Sequence, residues 1–322
     1  MRRALAPVVA FLALGWGGDA PAQGYPARPI RLVVGFAPGG AADIVARALA
    51  EGLQRSLGQS IVIENRAGAG SSIAAENVAR SAPDGYSVLI ASPSSISVNP
   101  ALNPKLGYKP GDLAPITKVS SSPLVLVVNP ATDINTVGEL VAVAKKRPDF
   151  LNYATSGIGS APHFGGALFS QVTGVKMVHV PFKGGAPAIV SVVAGDTQLS
   201  FGTPPSVMPM VKAGRLRALA VTSPERSALM PDIPGMREAG VPGFALAFWY
   251  GLFVPAGTPP EIVTKLYDAT AAAVFRPEYR AMLAKDGTEV ALSRSPEDFA
   301  AFLAEDAKFW VKLAKESGAT AD

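Results

Sequence analysis

The stretch IRLVVGFAPGGAADIVARALA, residues 30–50, decides the fold. Residues 30–34 are Ile, Leu and Val around one arginine and read as a buried strand; Ile44, Val45, Ala48, Leu49 and Leu53 then recur at helical spacing until Gly58 closes the stripe. A glycine loop joins the two. Gly35 and Gly40 reproduce the spacing of the phosphate loop G-x-x-x-x-G-K-[ST], yet Ala41 and Ala42 stand where that loop carries its lysine and hydroxyl. A nucleoside triphosphate therefore has neither counter-charge nor magnesium ligand here. What remains is a helix start flanked by glycines, whose free backbone N–H groups suit a singly charged carboxylate. The plainer alternative is a tight strand-to-helix turn with Asp43 capping the first helical turn.

Outward from this unit, β-rich runs alternate with helical patterns, which predicts an α/β architecture with mainly parallel sheets. Strands are expected over 61–64, 87–91, 151–154, 176–180, 198–201 and 216–221, and helices over 72–80 and 137–146 and from Pro162, Ala186 and Pro260. The run SPLVLVVNP, residues 122–130, reads as a crossing between two halves, and FWYGLFVPAGTPP as a returning strand that ends in a proline-marked helix start. Junctions of the same kind as the first recur in SGIGSAPH, FKGGAPA and FGTPPS, and each is expected to present helix N–H groups to an oxyanion.

Composition narrows the function. The chain of 322 residues has no cysteine, which excludes disulfides, thiol catalysis and thiolate metal sites, and only two histidines, His163 and His179, so neither a metal nor a cofactor is expected. Arg2 and Arg3, the apolar run from Ala4 to Leu14 and Ala20-Pro21-Ala22 read as an export signal; the apolar run falls short of the about 20 residues that span a bilayer. Removing Arg2, Arg3 and Asp19 changes the balance from 29 − 25 = +4 to 27 − 24 = +3. The one basic cluster, Lys145-Lys146-Arg147, falls at a helix end, where cations are favoured, and no aromatic platform accompanies it, so no nucleic-acid partner is expected.

Other motifs fail on inspection. Gly68-Ala69-Gly70 begins a dinucleotide fingerprint, but Ile73 replaces its third glycine, so a structural turn is the better reading. Ser160 and His163 could suggest a nucleophile and base, but no G-x-S-x-G elbow is present; Ser160 reads as a helix cap, His163 as a pocket or core residue and His179 as structural.

Taken together, YPARPIRLVVGFAPGGAADIVAR, VIENRAGAGSSIAAE, APDGYSVLIAS, LNYATSGIGSAPHFGGALF, VHVPFKGGAPA, VKAGRLRALAVTS and WYGLFVPAGTPP resemble the solute receptors of tripartite tricarboxylate transporters, the Bug family of periplasmic binding proteins. The resemblance runs from about Tyr25 to the C-terminus. It implies an α/β, type-II periplasmic binding protein fold: two lobes, a ligand cleft between them and two crossing segments. Residues 1–22 would be the removed signal, 23–123 plus 250–322 the first lobe and 124–249 the second.

By the same resemblance the first lobe would hold a ligand carboxylate with Phe36, Pro38, Gly39, Gly40, Ala41, Ala42 and Asp43, walled by Ser92, Ser94 and Ser95. The second would bring Thr155, Ser156, Gly157, Ser160, His163, Phe182, Lys183, Gly184, Gly202 and Thr203. Phe182 stands where members commonly have Tyr, Ile158 where they have Asn, and Gly202-Thr203 where they carry an acid or amide that can pair with a ligand ammonium. A carboxylate with an apolar or aromatic body is expected in preference to an amino acid, with a citrate-like acid as the alternative. The implied protein is a periplasmic, monomeric receptor, not an enzyme, that delivers its ligand to one large and one small integral membrane subunit. The rival readings are a ligand-sensing module for a signalling partner and a periplasmic serine hydrolase.

Overall fold

The computed structural model describes residues 24–103 and 105–317; the expected export signal lies outside them. In chain order the elements are β1 (Ile30–Val34), α1 (Ala41–Leu57), β2 (Ile61–Asn65), α2 (Ser72–Ala79), β3 (Ser87–Ala91), a π-helical turn (Ser94–Val98), α3 (Asn99–Leu102) and β4 (Leu113–Pro123). They continue with β5 (Val125–Val128), α4 (Val137–Lys146), β6 (Asn152–Thr155), α5 (Ala161–Thr173), β7 (Val178–Pro181), α6 (Gly185–Ala194), β8 (Leu199–Gly202), α7 (Pro204–Lys212) and β9 (Arg217–Val221). The chain closes with β10 (Ala247–Pro255), α8 (Pro260–Val274), α9 (Pro277–Lys285), β11 (Glu289–Val290) and α10 (Pro296–Glu316).

Two sheets result. The first is six-stranded, in the order β11-β4-β10-β3-β1-β2, and the second five-stranded, in the order β7-β6-β8-β5-β9. The expected mainly parallel character holds only in part. β1 pairs in parallel with β2 and β3, and β6 with β7 and β8, but β10 runs antiparallel to β3 and β4, and β5 antiparallel to β8 and β9. Each of these antiparallel pairs contains β10 or β5, the strands that adjoin the two crossings: the chain passes from β4 to β5 through Leu124 and returns from β9 to β10, each time from one sheet to the other with no named helix between.

β4, with eleven residues, has no clear signal in the sequence. Pro115, Lys118 and a run of serines break the apolar alternation, and the strand is held by pairing with β10, whose register shifts after Tyr250 and after Leu252. β1 and β3, by contrast, are buried apolar runs whose parallel pairing follows from burial on both faces. α1 buries Val45, Leu49 and Leu53 on one face, and each fully buried side chain of this kind contributes about 1.5–3 kcal/mol. Gly58 ends that helix at φ 68°, as its sequence position implied.

The lobes touch. Ala37 N donates to Lys183 O at 3.3 Å, and the ring of Trp310 on α10 meets that of Phe164 on α5 edge-on at 5.9 Å. Among the described residues no helix is long and apolar enough to cross a membrane.

Candidate functional site

The cleft between the lobes is built first by the turn after β1. A Cβ at Gly35 would lie 1.7 Å from Ser71 Oγ, so only glycine lets the chain leave the strand here. Gly39 follows at φ 80°, and Gly40 is the N-cap of α1 with no side chain to cap it. The N–H groups of Ala41, Ala42 and Asp43 belong to the first turn of a 17-residue helix and have no intrahelical acceptor. The helix dipole adds a partial positive charge at the same point.

Asp43 does not compete for them. Its buried carboxylate accepts from Gly39 N at 3.0 Å, Arg47 Nε at 2.9 Å and Asn65 Nδ2 at 2.9 Å, while Asn65 Nδ2 also donates to Phe36 O at 3.1 Å. Burial alone would push the Asp43 carboxyl up, but the hydrogen bonds from Arg47, Gly39 and Asn65 outweigh it and hold it below the usual carboxylate range. The acid braces the loop from behind while the loop's donors face the cleft.

Phe36, Gly40, Ala41 and Ala42 line the cleft, whereas Pro38, Gly39 and Asp43 shape the loop without lining it. Of the expected serine wall, Ser94 lines the cleft from the π-helical turn. Ser92 is fully buried with its hydroxyl unpaired, and Ser95 Oγ donates to Ser92 O at 3.5 Å. Tyr108 buttresses this turn by donating to Ser95 O at 2.6 Å.

In the second lobe, Ser156 and Ser160 line the cleft. Ser160 is the N-cap of α5, but its Oγ donates to Gly157 O at 2.6 Å and caps no helical N–H, contrary to the capping role expected for it. His163 points away from a base role: its Nδ1 accepts from Gly159 N at 3.2 Å and its ring stacks on His179 at 4.1 Å. Burial, then the neighbouring His179, depresses His163 to about 3, and burial depresses His179 to about 4, so both are neutral near pH 7. His179 Nε2 is 2.6 Å from Thr155 Oγ1, which also accepts from Gly157 N at 3.3 Å; Thr155 and Gly157 thus form the hidden backing of the loop. No hydrogen bond joins Ser160 to His163.

Phe182 packs at the edge of the second-lobe core, not among the lining groups. Lys183 contributes its carbonyl to Ala37, and Gly184 is the uncapped N-cap of α6, with Gly185 lining the cleft. Gly202 and Thr203 line the opposite end. Here one expectation fails: α7 begins Pro204-Pro205, which have no N–H, and Ser206 N donates back to Thr203 O at 2.9 Å. The junction FGTPPS offers no helix-start donor, so the donors converge from α1, α5 and α6 only.

Phe248, Tyr250, Ser200, Ser206, Ala188 and Ile189 complete the lining and were not anticipated. The alternation of Phe248, Tyr250 and Leu252 in the returning strand carries a period-two signal, but sequence does not say which face of a central strand meets a cleft. No lysine, arginine, histidine or carboxylate lines the cleft. Among the described residues no group of three or more His, Asp or Glu could hold a metal ion. Attraction for an anion rests on backbone dipoles and hydroxyls.

Residues 45–319 match the model of the tripartite tricarboxylate transporter family receptor. The chain is 37% identical over 323 residues to protein BugT of Bordetella pertussis, covering 99% of this chain and 98% of that one. Among solved structures, the R. palustris protein Rpa4515 with adipate superposes with a TM-score of 0.88 at 35% identity, covering 92% of this chain and 99% of that chain. MatC from Rhodopseudomonas palustris with bound malate gives 0.85 at 32% identity, covering 90% and 100%. The two sheets, the two crossings and the cleft are those of a type-II periplasmic binding protein. This chain belongs to the tripartite tricarboxylate transporter receptor family, and it is similar to BugT over nearly the whole length of both.

Proposed function

We propose that the protein is a periplasmic receptor that captures a small carboxylate by closing its lobes and delivers it to a tripartite transporter with one large and one small integral membrane subunit. The observation that carries this reading is the uncapped N-terminus of α1, whose Ala41 and Ala42 line a cleft that no charged side chain enters and leave their N–H groups without an intrahelical acceptor. Such a site holds an anion without needing a partner cation. The adipate and malate bound by the two similar structures support a carboxylate as the ligand. Export, action as a monomer and the absence of catalysis belong to the same proposal.

The lobes would be 24–123 with 247–317, and 124–246. The second boundary falls 249 − 246 = 3 residues earlier than the sequence suggested, since Ala247 pairs with Pro123 in the first sheet. The ligand grip would comprise Phe36 to Asp43 with Ser94 in one lobe, and Ser156, Ser160, Gly184, Gly202 and Thr203 in the other. Phe36, Phe248, Ile189 and Ala188 favour an acid with an apolar body.

Calorimetric titration of ligand-free protein with benzoate, adipate, malate, citrate and the matching amides tests this. Binding of at least one acid and of none of its amides is expected; equal binding of acid and amide would overturn the reading, and citrate alone would sink the apolar body. Ser160→Ala is expected to retain binding, because the Ser160 hydroxyl is committed to Gly157 O and only the backbone there belongs to the grip, and no turnover of activated esters is expected from either protein.

A further inference from the structure

We infer that Tyr250 is the residue with which the cleft tests its ligand for a second polar group: the phenol donates to an oxygen of the ligand other than those held by the helix ends. This rests on the carboxylate reading above. The ligand class it implies is a carboxylate that also carries a hydroxyl, oxo or second carboxyl oxygen.

Tyr250 lies on β10, between β3 and β4 in the first sheet, so its backbone is held on both sides. The register of β10 on β4 shifts directly after it, a device that re-aims a side chain. At the next residue, a Cβ on Gly251 would lie 2.5 Å from Phe299 Cζ, which fixes how closely the strand sits on α10. Phe248, two residues before and on the same strand face, meets the Tyr250 ring at 5.0 Å and 87°. The ring is thus set in place before any ligand arrives.

The hydroxyl is what remains unexplained by packing. Tyr250 is 7% exposed and lines the cleft, yet its Oη makes no hydrogen bond in the protein. The other buried tyrosines of the same lobe do otherwise: Tyr108 donates to Ser95 O at 2.6 Å and Tyr279 to Val119 O at 3.3 Å. Tyr153 in the second lobe is also unpaired, but it does not line the cleft. Burial holds the Tyr250 phenol well above its ordinary range, so it is a donor at any physiological pH. Ser94 and Ser156, one from each lobe, likewise line the cleft with hydroxyls that bond to nothing in the protein.

A closed cleft that leaves a phenol unpaired discriminates against ligands lacking an acceptor by more than it gains from ligands that have one. The test uses Tyr250→Phe and calorimetry on two matched series: butanoate, 3-hydroxybutanoate and butanedioate, and benzoate, 4-hydroxybenzoate and terephthalate. The wild type is expected to bind the best acceptor-bearing acid about 10- to 100-fold more tightly than its plain counterpart. Tyr250→Phe should lose that ratio while holding the plain acid within about 3-fold. A tyrosine ultraviolet difference spectrum on binding, larger with the acceptor-bearing acid than with its plain counterpart in the wild type and equal with both in the variant, is the accompanying signature; the comparison between the two acids in the wild type keeps the assignment testable if the variant folds poorly, and equal spectra there would overturn it.

Unchanged ratios in Tyr250→Phe, or equal weakening of plain and acceptor-bearing acids, would overturn the assignment and leave the carboxylate reading standing. Failure of both proteins to bind any of the acids would overturn the two together.

Discussion

Thr222 and Leu124 exchange two hydrogen bonds at the point where the chain passes from one lobe to the other: Thr222 N donates to Leu124 O at 2.9 Å, and Leu124 N donates to Thr222 Oγ1 at 2.7 Å. The same Oγ1 donates to Leu246 O at 2.7 Å, and Leu246 N donates to Thr222 O at 3.0 Å. One fully buried threonine therefore ties the outgoing and the returning crossing together. Thr222→Val keeps the shape and removes both side-chain bonds, leaving Leu124 N–H and Leu246 C=O unpaired. A loss of about 1–3 kcal/mol in urea unfolding is expected, with Thr222→Ser recovering most of it. A valine variant as stable as the wild type would show that the hydroxyl is dispensable.

Gly70 of the first lobe sits at φ 56° against Ile158 of the second, and a Cβ there would lie 2.6 Å from Ile158 O and 2.8 Å from Asn99 Nδ2. Gly70→Ala should wedge the lobes apart. Affinity for the best-binding acid is expected to fall at least about tenfold, since closure is the state the ligand selects, and small-angle scattering should show a more open liganded form. Gly58→Ala is the control: its φ is 68° and nothing lies within 4 Å of the added methyl, so it carries the same backbone strain, about 1 kcal/mol, with no wedge. Equal affinities in the two variants would remove the wedge argument.

The stacked pair His163 and His179 sets a pH dependence. Their folded values, about 3 and about 4, lie below the ordinary histidine value of about 6.5. As pH falls below about 6.5 the unfolded chain takes up protons that the folded chain refuses, so stability is full above that point and declines on acidification. Between pH 7 and 5 His163 should remove roughly 1–2 kcal/mol, and His179, which is nearer to solvent, less. The slope of unfolding free energy against pH between 7 and 5 should flatten in the double variant His163→Gln, His179→Gln; an unaltered slope would rule out the pair as its source, since Asp43, held below the usual carboxylate range, titrates only at lower pH.

The sequence revealed most where local chemistry and tertiary role coincide. The helix over 137–146 is observed with the ends its pattern implies, because Thr136 caps it and two lysines close it. The turn at Gly35–Gly40 was legible for a similar reason: Gly40, Ala41 and Ala42 carry no polar side chain, so only backbone donors stand at the helix start. β4 was not legible, since its stability comes from its partners in the sheet and not from its own pattern. Tyr250 was missed because facing a cleft is a property of the strand's place in the first sheet, between β3 and β4. The prolines of α7 were legible in principle: a proline has no N–H, and FGTPPS could have been set apart from the other junctions on that ground alone.

The edge-on contact of Trp310 with Phe164 carries a practical consequence. Trp310 belongs to the C-terminal helix and is 1% exposed, while Phe164 arrives from the other lobe. On the opening proposed above, the indole would lose that neighbour and meet water. Its fluorescence is then an unlabelled optical gauge of closure, expected to shift to the red in the open form and to the blue on adding a bound acid. Trp310→Phe should silence the signal, and Trp249, buried within the first lobe against Phe299, should contribute a constant background.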